Sequence, residues 1–187
     1  MKTLRMLTAI ACIGLLPLAA QAETIQLTSL EWPPYTGSEL PQQGASMAVV
    51  EAAFDAMGHD LEVRFLPWQR AVDQAQQDTA IAGYFPEYYA DSLEEDFIFS
   101  DSIGTGPLGL VEKTDQPIEW SSLDDLTEHT IGTVSGYVNT AEFDAMAERG
   151  EIEVQPVTND ATNLRKVAGG RIPLAVIDSN VFDYLIS

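Results

Sequence analysis

Ile25-Gln26-Leu27-Thr28-Ser29-Leu30-Glu31-Trp32-Pro33-Pro34-Tyr35-Thr36-Gly37 decides the architecture of this chain. Its first six residues alternate apolar and polar side chains, which is the period of a strand. The two prolines then remove backbone donors and fix φ, so the strand must give way to a loop carrying an indole and a phenol. Just beyond, Gly44 opens a helix expected over 46–57, with Met47, Val50 and Phe54 on one face, and Gly58 stops it. Residues 61–66 read as a second strand. Pro67 starts a second helix at its favoured first-turn place, through Trp68, Ala71, Val72 and Ala75. Residues 79–85 read as a buried strand, with a short helix after Pro86 and extended segments at 97–100 and 108–112. Strand, helix, strand, helix, strand is the pattern of a parallel sheet covered by helices.

A second series follows. Residues 122–126 predict a short helix, 130–134 a strand, and Asn139 a cap for a helix reaching Arg149. A strand at 152–157, a helix at 159–168, a strand at 172–177 and a helix from Asp178-Ser179 complete it. The expectation is therefore two α/β lobes in succession, residues 23–108 and 109–187.

Ahead of them, Lys2 and Arg5 precede an apolar run, and Ala20-Gln21-Ala22 supplies small residues at a cleavage site. Residues 1–22 thus read as a cleavable secretory signal. The run falls short of the ~20 residues needed to span a bilayer as a helix. Cleavage after Ala22 removes the only cysteine, so no disulfide or thiol chemistry is expected in the mature chain. It also removes two of the positive charges, taking the formal net charge from -20 to -22. Such acidity excludes a phosphate-binding stripe and hence nucleic acid as a partner. An apolar content of 45% supports a folded core rather than disorder.

Several motifs together resemble one family, the bacterial extracellular solute-binding proteins of family 3, receptors of polar amino-acid ABC transporters. The frame from Gly44 to Gly58 is similar to the family's first helix, with Ser46 and Ala48 where acids are usual. Trp32-Pro33-Pro34-Tyr35 resembles its aromatic-proline loop, and Phe99-Ser100-Asp101 its Phe-Ser-Asp-Pro-Tyr. Residues 124–136 resemble the entry to its second lobe. Gly169-Gly170-Arg171 with Ala175-Val176-Ile177-Asp178 resembles the segment bearing an acidic ligand residue. The resemblance implies a two-lobed periplasmic-binding-protein-like fold of type II with the ligand in the cleft between lobes. It implies a periplasmic, monomeric receptor that delivers a small solute to an ABC transporter permease, without cofactor or metal. Members return to the first lobe at their C-terminal end; this chain stops first, so its second lobe is expected to be incomplete.

Parallel sheets expose binding loops at the carboxyl ends of their strands. Trp32, Tyr35, Tyr84, Ser135, Gly136, Tyr137 and Asp178 all fall there. Aromatic rings there either sandwich a ligand or simply pack. Backbone donors around 135–139 lead into a helix start, which suits an anion. In the resemblance Asp178 corresponds to the carboxylate that holds a ligand ammonium; as a residue it is equally a good N-cap. The departure lies at Pro86-Glu87-Tyr88. Amino-acid binders of the family carry an arginine at the place of Tyr88, clamping the ligand α-carboxylate with two parallel hydrogen bonds. Tyrosine cannot replace that fork. Arg70 is either a compensating charge or a solvated helix residue.

No nucleophile elbow, phosphate loop, zinc helix or calcium loop is present, and His59 and His129 stand among ordinary loop residues. Ligand capture is the expected function and catalysis is not. The alternatives on this fold are a sensing lobe of a signalling or cell-wall enzyme, and a dehydratase.

Overall fold

The structure is a computed structural model and describes residues 23–187; the export signal read at 1–22 lies outside the described residues. The first sheet contains β1 (Thr24–Ser29), β2 (Asp60–Phe65) and β3 (Gly83–Tyr84), all parallel, in the order β2-β1-β3. Helices α1 (Ala45–Met57) and α2 (Trp68–Gln77) connect them. The second sheet contains β4 (Leu108–Val111), β5 (Thr130–Val134), β6 (Glu153–Val157) and β7 (Leu174–Asp178), in the order β4-β7-β5-β6. Here α3 (Ala141–Glu148) and α4 (Asp160–Ala168) make the crossovers, and α5 (Ser179–Ile186) follows β7. β5 pairs parallel with β6 and β7, whereas β4 runs antiparallel to β7 and makes this sheet mixed.

Each sheet has its own core. Leu27, Met47, Val50 and Phe85 are buried together in the first lobe. Leu126, Ile131, Phe143, Met146, Ile152 and Leu174 are buried in the second. A third cluster unites them: Leu30, Trp32 and Trp68 from the first lobe meet Ile177 and Val181 from the second. Burying such side chains contributes roughly 1.5–3 kcal/mol each, so the two lobes hold one another by the force that holds each together.

The elements differ from the sequence expectations where side chains bond locally. The strand expected at 79–85 shrinks to Gly83–Tyr84, because Asp78 wraps a turn: its carboxylate accepts from the Ala80 N–H at 3.0 Å and its carbonyl from Ile81 at 2.9 Å. The short helices expected after Pro86 and at 122–126 are 3-10 turns, Asp91–Leu93 and Leu123–Leu126. Segment 97–100 forms no strand. Pro67 is the N-cap of α2 rather than its first residue. Thr140, not Asn139, caps α3, by accepting from the Phe143 N–H; Asn139 instead donates twice to Asp144.

One local arrangement positions the aromatic loop. The first N–H groups of α1 have no partner inside the helix. Those of Ala45 and Ser46 donate to the carbonyls of Pro34 and Tyr35 at 3.0 and 2.9 Å. Gly44 has φ 106°, and a Cβ there would collide with the Tyr35 carbonyl. The helix start and the loop are therefore one unit.

Candidate functional site

At the carboxyl end of β7, Asp178 is 1% exposed. Its Oδ1 caps α5 by accepting from the N–H groups of Asn180 (2.8 Å) and Val181 (3.1 Å). The same carboxylate accepts across the cleft from two first-lobe phenols: Tyr35 at 3.1 Å to both oxygens, and Tyr88 at 2.8 Å to Oδ2. The Asn180 side-chain amide donates to the Tyr35 oxygen at 2.6 Å. Gly106, in the connection between lobes, lies against this node so closely that a Cβ would strike the Asp178 carboxylate.

A second node surrounds Asp160, 5% exposed at the start of α4. Neighbouring Asn159 caps that helix, which frees Asp160 to face the cleft. It accepts from the Trp32 indole N–H at 3.1 Å and from the Tyr137 hydroxyl at 3.3 Å. Trp32 stacks on Tyr35 (centroids 4.8 Å apart) and meets the edges of Tyr88 and Tyr137, both at 6.1 Å. Four rings thus join the two carboxylates. Burial pushes the Asp160 carboxyl up to about 6, against the pull of its Trp32 and Tyr137 donors.

The third acid is Glu87, which accepts from the Tyr84 hydroxyl at 3.2 Å and the Tyr88 N–H at 2.8 Å. Burial raises its carboxyl to about 7, with those two bonds opposing. Burial also raises the phenols of Tyr88 and Tyr137 well above their ordinary value, with Asp178 adding at the first and Asp160 at the second. They stay protonated donors at any physiological pH. Tyr84 packs edge-on against Trp68, and Trp68, 4% exposed, donates from its indole to the Gly136 carbonyl across the cleft at 2.8 Å.

No protein-family profile matches the sequence, and no curated protein matches it. Solved structures do match. An ancestral arginine-binding protein bound to arginine superposes with a TM-score of 0.72 at 16% identity, covering 89% of this chain and 74% of that one. An ancestral amino-acid-binding protein, AncCDT-1, a precursor of cyclohexadienyl dehydratase, gives 0.68 at 18% identity over 87% and 73%. A structure from a study of glutathione import via GshT and the cystine ABC importer TcyBC of Streptococcus mutans gives 0.67 at 18% over 88% and 71%. The chain has the two-lobed periplasmic-binding-protein-like fold.

In that fold the predicted residues divide in two. Trp32, Tyr35, Tyr88, Tyr137 and Asp178 converge in one hydrogen-bonded seam between the lobes, with Tyr84 attached through Glu87 and Trp68. Arg70 does not join them and lies exposed on α2. Ser135 is exposed too, whereas Gly136, though exposed, joins the seam through its carbonyl, which accepts from the Trp68 indole. Three of the anion-ready donors expected at 135–139 are spent within the second lobe: the N–H of Ser135 on Val157, of Tyr137 on Val134, and of Asn139 on Asp144. Asp160, Glu87 and Gly106 belong to the seam and were not singled out from sequence. Asp160 had a signal, since it follows β6 at the same carboxyl edge as the others. The adjacent Asn159 hid it by accounting for the helix cap.

Proposed function

We propose that this protein is a periplasmic solute-binding protein of the family 3 type, which captures a small solute between its lobes and delivers it to an ABC transporter permease. One observation carries the reading. Hydrogen-bonding side chains from both lobes converge on buried carboxylates in the cleft, and packing alone requires no such group. Burying a carboxylate is costly unless it is hydrogen-bonded and paired with a cation, and the donors these carboxylates have are all neutral. Similarity to binding proteins, including one studied in the context of an ABC importer, supports the reading, as do the export signal and the motifs that resemble the family. A monomer that exchanges one solute needs neither cofactor nor metal. The test is calorimetry and thermal shift against a panel of metabolites. A solute that binds at micromolar concentration, and loses affinity on Trp32→Ala, is the expected outcome.

A dehydratase is the second reading, favoured by Glu87: a half-buried carboxyl near 7 in the cleft has the protonation range of a general acid–base group. Incubation with cyclic carboxylic acids, followed by a search for product, separates the two. Product formation abolished by Glu87→Gln would make this protein an enzyme.

A further inference from the structure

The seam carries an unbalanced charge. Asp160 and Asp178 are at least nine-tenths buried, and Glu87 stands close by. Every donor they accept from is neutral: an indole, phenols, amides of the chain. The ion pairs among the described residues, Lys113–Asp115 and Arg149–Glu151, lie elsewhere. A buried anion without a cation is costly, and each added anion raises the cost. Trp32 and the three tyrosines add the second half of a cation site, since ring faces attract positive charge most strongly where water is excluded.

No positive side chain among the described residues stands in the seam to pair with a carboxylate. Tyr88 stands where the resembling receptors place their clamping arginine, and its hydroxyl is committed to Asp178. Arg70 faces solvent. The Trp68 indole is used by Gly136, and the backbone donors at 135, 137 and 139 are used within the second lobe. A metal ion fits no better: among the described residues no three His, Cys, Asp or Glu side chains group closely enough to hold one.

We infer that the solute is an organic ammonium or guanidinium ion without a carboxylate, its charge held by Asp178 and Asp160 and its carbon skeleton boxed by Trp32, Tyr35, Tyr88 and Tyr137. This rests on the solute-binding reading. On entry the cation's N–H groups take over acceptor sites that the phenols occupy, and the hydroxyls rotate to accept or to meet water.

The experiment compares pairs that differ only in the α-carboxylate: agmatine with arginine, and cadaverine with lysine, by calorimetry on the full chain at pH 8. Choline tests a quaternary ion that offers no N–H donor. The expected result is agmatine or cadaverine at least tenfold tighter than its amino acid. Asp178→Asn, which retains the cap acceptor, and Asp160→Asn should each weaken that binding tenfold or more. If either variant fails to fold, Glu87→Gln supplies the charge test, with a smaller loss expected. Arginine or lysine binding as tightly as its decarboxylated partner overturns the inference and leaves solute capture standing. So does silence from all the cations while a neutral or anionic metabolite binds. Silence from the cations and from the whole metabolite panel overturns both readings.

Discussion

The two faces of the cleft divide the work of the seam unequally. The first lobe supplies donors on large rings: Trp32, Tyr35, Trp68, Tyr84 and Tyr88. The second supplies most of the acceptors: Asp160, Asp178 and the Gly136 carbonyl. The acceptors are also set on regular structure. Asp178 ends a strand paired on both sides, by β4 and β5, and caps α5 with the same carboxylate that faces the cleft. Trp32 and Tyr35 come from a loop, and Tyr88 from a segment past a strand of two residues. The difference teaches that one lobe sets the charge of the seam and the other lines it with rings.

Five measurements can break or sharpen that contrast. The largest effect should come from the ring at the centre. Trp32→Ala removes a side chain 9% exposed and leaves Asp160 short of a donor, so urea unfolding should show a loss of about 3–5 kcal/mol. On the other face, Asp178→Ala removes a helix cap and the acceptor of two phenols, for a loss of about 2–4 kcal/mol. Asp178→Asn should recover the cap portion. If the alanine and asparagine variants were equally unstable, the cap would contribute nothing to the stability of the second face.

The pH dependence has a definite sign. Asp160 and Glu87 hold protons more tightly folded (about 6 and about 7) than at their ordinary values of 3.8 and 4.5. Protonated carboxyls therefore favour the folded state: their contribution is fully present below pH ~4 and is lost as pH rises through 6 to 7. Asp160 faces Trp32, Tyr137 and Asp178; Glu87 faces Tyr84 and the Tyr88 N–H, with Tyr137 near enough to feel its charge. None of these supplies a positive charge. Unfolding free energy without ligand should fall by about 2–3 kcal/mol for each group between pH 4.5 and 8, and the slope should flatten in Asp160→Asn and Glu87→Gln. A bound cation should restore stability chiefly at the upper end. A slope unchanged in both variants would show that these carboxyls titrate alike folded and unfolded.

Smaller effects follow. Tyr35→Phe and Tyr88→Phe each delete one hydroxyl to Asp178 and should cost about 1 kcal/mol. Their double variant should depart from additivity, because both share one carboxylate. Arg70→Ala should change stability by less than about 0.5 kcal/mol and leave cation affinity unaltered, since the side chain is exposed on α2. A large loss of binding there would return Arg70 to the site and undo the division between the faces.

Periodicity and punctuation by themselves determined the order of strands and helices, since the alternation at 25–30, the glycines at 44 and 58 and the prolines at 33 and 34 act through local sterics and spacing. The same rules place Trp32, Tyr35, Tyr137 and Asp178 at one edge, because strand ends are visible in sequence. Length was less legible: the strand expected at 79–85 lost most of its residues to the turn that Asp78 makes with its own neighbours. Only the tertiary structure decided which residues face one another across the cleft. Asp160 and Trp32 are 128 positions apart, and Tyr35 and Asp178 are 143 apart. No spacing rule reaches so far. Those partnerships depend on two separately built sheets meeting in one orientation, and so does the burial that raises Asp160 and Glu87.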